Sequence, residues 1–396
     1  MRVYIIGTGM DGSITLTREA EKALEKAELI IGAERLVKPF MENGREVFVS
    51  YKADEISHRL TECGYDTAAV LMSGDCGFFS GARKLLPYLG RQDVRVIPGI
   101  SSLSYFCSRT GLSYENMKFI SLHGRESNIA VNVKMNEYCF FLLGGDMTAA
   151  DVCRRLCGYG LGDVTVHIGS DLGGADEHIH SGRAEDLCDI TVSGLSVMIT
   201  DNWEYISNIP SCISDGSFIR REVPMTKSEI RCIAVSKLGI CSDSVVWDVG
   251  CGTGSVSVEA AYRCPDGMVY AFDKNSDGVQ LTEDNARLFS CDNIRITEGI
   301  CPEILADAPA PDCVFIGGSS GDMEGLFSAV YEKNTKAQIV ITAVSLETVH
   351  EAGVHFKKYG MEPEAVQIAV TRAERLLGHT MMKAQNPVFI ISGRLS

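Results

Sequence analysis

Ten residues constrain this chain more than any others: Val245–Gly254, V-V-W-D-V-G-C-G-T-G. The apolar run Val245-Val246-Trp247 leads into Asp248 and then into Gly250, Gly252 and Gly254. Such a stretch predicts a buried parallel strand that ends in a glycine-rich turn and feeds a helix, S-V-S-V-E-A-A. Glycine suits a backbone that must turn tightly and let a ligand approach. The helix start then offers free N–H groups and a positive dipole end to an anionic group.

The spacing separates ligand classes. The dinucleotide fingerprint G-x-G-x-x-G needs a glycine where Ser255 stands. The pattern here, D-x-G-x-G-x-G, resembles instead the first motif of class I S-adenosylmethionine-dependent methyltransferases. That resemblance implies that Gly250, Cys251, Gly252, Thr253 and Gly254 hold the methionine part of the cofactor. Val269–Asp273, V-Y-A-F-D, is a second strand ending in an acid, at the spacing of roughly 20 residues that ribose recognition requires. Asp273 is expected to accept hydrogen bonds from both ribose hydroxyls. A generic turn with a helix-capping acid is the blander reading, and strand, glycines and spaced acid together weigh against it.

The 396 residues leave room for two domains. Hydrophobic residues make up 45% and charged ones 22%, as in soluble globular proteins with real cores. A formal net charge of −15 is a poor match for a phosphate backbone, so no nucleic-acid partner is expected. The start, M-R-V-Y-I-I-G-T-G, reads as a strand and turn rather than a signal peptide. No apolar run approaches the ~20 residues of a membrane span, so a cytoplasmic, membrane-free protein is expected. The 15 cysteines are scattered, and Cys139 and Cys313 sit in core-like runs. No zinc spacing accompanies them, so reduced core thiols, no disulfide framework and no metal are expected.

In the first half, Val3–Ile6, Glu28–Ile31, Val47–Val49, Ala68–Met72, Val94–Ile97 and Tyr138–Leu143 read as strands with helices between them. Thr17 is placed to cap a helix that runs to Ala27. Glycine-rich points fall at the strand ends: Gly7-Thr8-Gly9, Ser73-Gly74-Asp75, Pro98-Gly99-Ile100-Ser101-Ser102, His123-Gly124-Arg125 and Gly144-Gly145. Taken in order, these resemble the tetrapyrrole methylases (class III methyltransferases), and within them the cobalamin-pathway branch that methylates C-5 of the precorrin ring. The likeness spans residues 1–203. It implies that S-adenosylmethionine folds into a cleft between two subdomains, lined by Gly74, Asp75, Phe78, Phe79, Ser101, Ser102 and Leu143. It also implies that His123 and Arg125 meet substrate carboxylates, which arginine matches bidentately. Cys76 departs from the family, which commonly has proline there.

Residues 204–224 mix Ser, Pro, Gly and charge without periodicity and read as a linker. Thr226-Lys227-Ser228-Glu229 has the form of a capping box at a helix start. Val366–Thr371 and Val388–Ser392 are spaced as a closing antiparallel pair. The pieces P-M-T-K-S-E-I-R, D-V-G-C-G-T-G, E-G-x-x-P-E, F-I-G-G-S, T-A-V-x-L-E-T and N-P-V resemble the C-15 methyltransferases and decarboxylases of the cobalamin pathway. By that likeness Thr226, Asp273 and Cys301 also touch the cofactor, and Arg372, Arg375 and His379 meet carboxylates of the substrate.

The expected fold class is therefore α/β: a two-subdomain tetrapyrrole methylase fold over 1–203, then a class I Rossmann-like methyltransferase domain over 225–396. The two halves together resemble fused enzymes of cobalamin (vitamin B12) biosynthesis. These methylate C-5 and C-15 of a precorrin and decarboxylate its C-12 acetate, with one S-adenosylmethionine per domain and a tendency to form homo-oligomers. Two other readings stay open: methylases with protein or RNA acceptors, and one half that only binds the tetrapyrrole. No catalytic residue is singled out, because methyl transfer from a sulfonium demands alignment more than acid–base chemistry.

Overall fold

The computed structural model describes residues 1–10, 15–41, 45–62, 64–90, 92–123, 127–317, 321–376 and 378–394. Three large sheets and one two-stranded sheet organise the described residues. The first holds β1 (Arg2–Gly7), β2 (Leu29–Gly32), β3 (Glu46–Val49), β4 (Thr67–Met72) and β5 (Asp93–Ile97), in the order β3-β2-β4-β1-β5 and all parallel. Parallel strands covered on both faces read as unbroken apolar runs. In β1, accordingly, Val3 and Ile5 enter one core while Tyr4 and Ile6 enter another. Thr17 caps the helix Arg18–Lys26 as expected, its hydroxyl accepting from the N–H of Ala20 at 3.2 Å.

The second sheet holds β6 (Lys118–Ser121), β7 (Tyr138–Leu142), β8 (Thr165–Ser170), β9 (His178–Arg183) and β10 (Ser196–Asp201), in the order β6-β7-β10-β8-β9. Only β6 and β7 are parallel; the other pairs are antiparallel. The two sheets meet where Met10 and Phe78 of the first subdomain pack with Phe106, Phe140 and Leu172 of the second.

The third sheet contains β11 (Val245–Val249), β12 (Met268–Asp273), β13 (Ile294–Glu298), β14 (Cys313–Gly317), β15 (Gln338–Ala343) and β16 (Glu364–Ile368). After β16 a separate two-stranded hairpin, β17 (Thr371–Leu376) and β18 (His379–Ala384), intervenes before β19 (Val388–Gly393) completes the third sheet. The order is β13-β12-β11-β14-β15-β19-β16, with β19 antiparallel to both neighbours. The expected closing pair thus forms. Strand order reverses beside β11, which is where ligands bind beyond the carboxyl ends of such sheets.

One local expectation fails. Thr226 and Glu229 do not form a capping box: the helix Ser228–Leu238 begins after Lys227 without a side-chain cap. The Glu229 carboxylate is held by Arg372 instead. The stretch read as a linker is packed. Ile213 and Phe218 are buried in the third sheet's core, and the Ile213 N–H donates to Glu259 at 3.0 Å.

The two halves touch through a polar seam. The helix Ala130–Met135 has no capping side chain of its own. Asp292, from the other half, accepts from the N–H groups of Ile129 at 2.8 Å and Val131 at 3.0 Å. Asn128 donates to the carbonyls of Pro265 and Gly267, and Val131 enters the core of the third sheet. The described cysteines are all free thiols and most are buried.

Candidate functional site

Beyond the carboxyl ends of β11, β12, β14 and β15 lies a cavity of about 670 Å³. Gly250, Cys251 and Gly252 form one wall, Asp273-Lys274-Asn275 a second, and Gly299-Ile300-Cys301 a third. Gly250 has φ +78°, and a Cβ there would stand 2.4 Å from the carbonyl oxygen of Gly317. Only glycine fits between these two strand ends. Asp273 fixes the turn: one carboxylate oxygen accepts from the Gly252 N–H at 2.8 Å and the other from the Asn275 N–H at 2.9 Å. Each oxygen keeps a lone pair for a hydroxyl in the cavity.

Thr226 and Cys301 line this cavity. Thr253 and Gly254 are not among its lining residues. The Thr253 carbonyl accepts from Asn285, and a Cβ on Gly254 would press on Thr282 at 2.7 Å. These two residues pack the next helix against its neighbour. The motif acid, Asp248, is fully buried below the turn and hydrogen-bonded to the Ser257 hydroxyl. Burial, reinforced by the nearby Asp273 charge, pushes its pKa up to about 7.

Of the three C-terminal residues assigned to substrate carboxylates, Arg372 is paired with acids of its own half. Its guanidinium binds Glu229, Asp215 at 3.0 Å and the Ser228 hydroxyl at 3.1 Å, and its pKa is raised by those acids. Asp215 also pairs at 3.2 Å with Arg231, which is fully buried and salt-bridged at 2.7 Å to Glu259. Arg231 in turn donates to the Thr226 carbonyl at 2.6 Å. Arg372 is thus the outer end of a charge network that ties the root of the β17–β18 hairpin to the cavity wall. Arg375 and His379 lie farther out on the hairpin and are not among the lining residues. The lining cations are Lys227 and Lys274, with Gln385 and Asn386 beside them. The sequence offered a signal for two of these, since Lys227 and Asn386 stand inside the strings P-M-T-K and N-P-V that carry the family resemblance. Ile300 and Val344, 58% and 73% exposed, add an apolar rim.

A second glycine junction stands at the carboxyl ends of β1, β4 and β5. Gly9 and Gly74 exchange backbone hydrogen bonds at 3.0 and 3.1 Å. A Cβ on Gly7 would stand 2.6 Å from the Gly99 nitrogen, and one on Gly99 would stand 2.3 Å from the Gly74 oxygen. Asp75 bridges the loops, accepting from Gly77 at 2.7 Å and Gly99 at 3.0 Å. Ser101 caps the helix that begins at Ser102. Phe79 has φ +46° and is 54% exposed, free to meet a ligand. Phe78 instead packs edge-on against Phe119 and Phe140. Leu143 is buried in the second subdomain's core, and His123 lies over Gly144 at the end of β7. Arg125 lies outside the described residues.

Both junctions fit S-adenosylmethionine: Gly7 and Gly99 in the first and Gly250 in the second leave no room for a side chain, and the second opens on a cavity lined by Asp273. Among the described residues no cluster of three His, Cys, Asp or Glu side chains is placed to hold a metal ion.

Comparison with known proteins agrees with this geometry. Residues 2–188 match the family model described as tetrapyrrole (corrin/porphyrin) methylases, and residues 218–394 match the precorrin methyltransferase domain. The protein named "Probable cobalt-precorrin-6B C(15)-methyltransferase (decarboxylating)" from Pyrobaculum calidifontis is 42% identical over 183 residues, which are 46% of this chain and 94% of that one. The protein of the same name from Saccharolobus solfataricus is 41% identical over 197 residues, 48% of this chain and 98% of that one. The crystal structure of precorrin-6y C5,15-methyltransferase from Geobacter metallireducens is 35% identical, covers 46% of this chain and 97% of its own, and superposes with a TM-score of 0.44. With a glycine cradle in each half and these matches over nearly its whole length, the chain belongs to the precorrin methyltransferases, its C-terminal family domain preceded by a tetrapyrrole methylase domain.

Proposed function

We propose that this chain is a bifunctional methyltransferase of cobalamin biosynthesis. Residues 1–203 methylate C-5 of a precorrin, and residues 225–396 methylate C-15 and decarboxylate the C-12 acetate. Each half takes its own S-adenosylmethionine, which when bound supplies an already activated sulfonium methyl. The chain's residues bind, align and dry the reactants. Gly250 and Gly252 admit the ligand close to the backbone, and Asp273 orients it through its free lone pairs. The rim of Ile300 and Val344 excludes water, and Lys227 and Lys274 attract carboxylates. Loss of CO₂ leaves an electron pair that the conjugated ring takes up, and a proton then completes the new methyl group. No further electron sink is needed.

The observation that carries the reading is the pair of glycine junctions, one per half, each too tight for any side chain. The division of labour draws support from relatives named C(15)-methyltransferase (decarboxylating) that align with less than half of this chain over nearly their whole length. A homo-oligomer and a cytoplasmic setting belong to the same reading. Met381 and Met382, 53% and 67% exposed on the hairpin, offer an apolar contact surface. Among the described residues no helix is long and apolar enough to cross a membrane.

The test uses the full chain, a reduced precorrin and labelled S-adenosylmethionine, read by mass. The wild type should add two methyls and lose one CO₂. Gly99→Val, which fills the first junction, should keep one methyl transfer and the CO₂ loss. If decarboxylation disappears with the C-5 methyl while the chain melts as the wild type does, the division of labour is wrong.

A further inference from the structure

The segment that joins the two halves supplies one wall of the C-terminal cavity. Val223, Pro224, Met225, Thr226 and Lys227 all line it. This wall lies close on the glycine turn. Gly252 has φ +54°, and a Cβ there would stand 3.1 Å from the Pro224 carbonyl oxygen and 3.6 Å from the Val223 side chain. Yet the wall has no ladder to hold it. Among the described residues, 218–226 make no backbone-to-backbone hydrogen bond. Their polar groups then fall to side chains or water, and only side chains fix a distance.

Two buried side chains do this. Asn285, on the helix Ser276–Leu288, is fully buried. Its Oδ1 accepts from the Ile219 N–H at 2.8 Å, and its Nδ2 donates to the Ile219 carbonyl at 3.1 Å and to the Thr253 carbonyl at 2.9 Å. One amide thus pairs with the connecting segment as a strand would, and grips the glycine turn at the same time. Arg231 takes the other end. It donates to the Thr226 carbonyl at 2.6 Å while salt-bridged to Glu259, on the helix that follows the turn. Around Asn285 the segment is docked further: Phe218 packs on Phe289 with ring centroids 4.8 Å apart, and Arg221 pairs with Asp284 at 2.7 Å. A buried amide with its oxygen and both N–H groups engaged resists displacement, because each bond broken leaves a desolvated partner.

We propose that Asn285 is a positioning residue of the C-terminal site: it holds the connecting segment against the glycine turn, and so sets the width of the cavity between residues 223–227 and the turn. The proposal rests on reading this cavity as an S-adenosylmethionine site. Asn285 is not among the lining residues, so it acts through the wall that it holds. Its loss falls on binding, because a cofactor entering a loosened cavity must order the wall itself. The fold provides a matched comparison. Asn293 is also fully buried, and its Nδ2 donates to the carbonyls of Ala261 at 2.9 Å and Cys264 at 3.0 Å, at the far end of the helix that follows the turn.

The test titrates the full chain with S-adenosylhomocysteine by calorimetry, the C-terminal site being the one that Asp273→Ala weakens. Asn285→Ala should raise Kd there about 10-fold, the worth of roughly one net hydrogen bond, and leave the other site unchanged. Asn293→Ala removes the same side chain from the same half. It should lower the melting midpoint to a similar degree and keep Kd within about twofold. With a reduced precorrin, Asn285→Ala should raise the KM for S-adenosylmethionine in C-15 methylation and leave kcat at saturating cofactor within about twofold. Asn285→Asp is the second variant. It keeps the shape and the acceptor for Ile219 but loses both donations, and should weaken the same site. An unchanged Kd in Asn285→Ala, or an equal rise in Asn293→Ala, overturns the proposal. So does failure of both Asn285 variants to fold, which would leave the residue a scaffold role alone. A wild-type chain that binds S-adenosylhomocysteine at no C-terminal site refutes the underlying reading instead.

Discussion

Asp273→Ala tests the C-terminal site most directly. In the folded protein this carboxylate already holds two backbone N–H groups, those of Gly252 and Asn275 at 2.8 and 2.9 Å. The substitution therefore removes two things: the acceptors for a ribose, and the bridge that keeps the glycine turn at its distance from the β12 end. Two hydrogen bonds to an ionised acceptor, at about 1.5 kcal/mol net each, amount to ~3 kcal/mol of ligand affinity. That is a rise in Kd of about 100-fold. Loss of the turn's restraint acts in the same direction, because the ligand must then order it. Calorimetric titration of the full chain with S-adenosylhomocysteine should show one site per chain unchanged and one weakened by that factor. A change below threefold, or equal weakening of both sites, would refute the role given to Asp273 and the independence of the two cradles.

Asp248 has a folded pKa raised to about 7 from 3.8, so its stabilising protonation is complete below about pH 4 and is lost as pH rises through about 7. Asp248→Asn should remove that slope, leaving the C-terminal half a few kcal/mol more stable than wild type at pH 8 and not at pH 4, as urea melts would record. Parallel pH profiles would sink the assignment. Arg372→Ala should lower stability by about 1–3 kcal/mol through the freed Glu229 and Asp215 while leaving the KM for precorrin within twofold. A KM effect larger than the stability effect would restore Arg372 to the substrate.

The sequence was most legible where one physical requirement acts alone. β1, β4 and β11 are buried on both faces, so their apolar runs marked them. The glycine junctions were visible because close backbone approach admits one residue type. β8 and β9 went unread: T-V-H-I-G-S and H-I-H-S-G-R are too polar to mark strands, and β9 is an exposed edge. The β17–β18 hairpin carries no alternating apolar face, since most of its residues face solvent. The Thr226 capping box failed for a non-local reason. Its acid is claimed by Arg372, 143 residues away, and no local window contains that competitor. The same distance hid the true partners of Arg372 and left it resembling a free cation.

Asp292 gives the fusion a consequence that a flexible tether would not have. The first turn of the helix Ala130–Met135 is completed by a carboxylate on the other catalytic half, and Val131 finishes that half's core. A cut between the halves would cost the first its helix cap, about 0.5–2 kcal/mol, and uncover an apolar contact on the second. Each half thus supplies contacts that complete its neighbour's fold. A substitution that unfolds one half should therefore lower the melting midpoint of the other, whereas one that acts at a site should leave it unchanged.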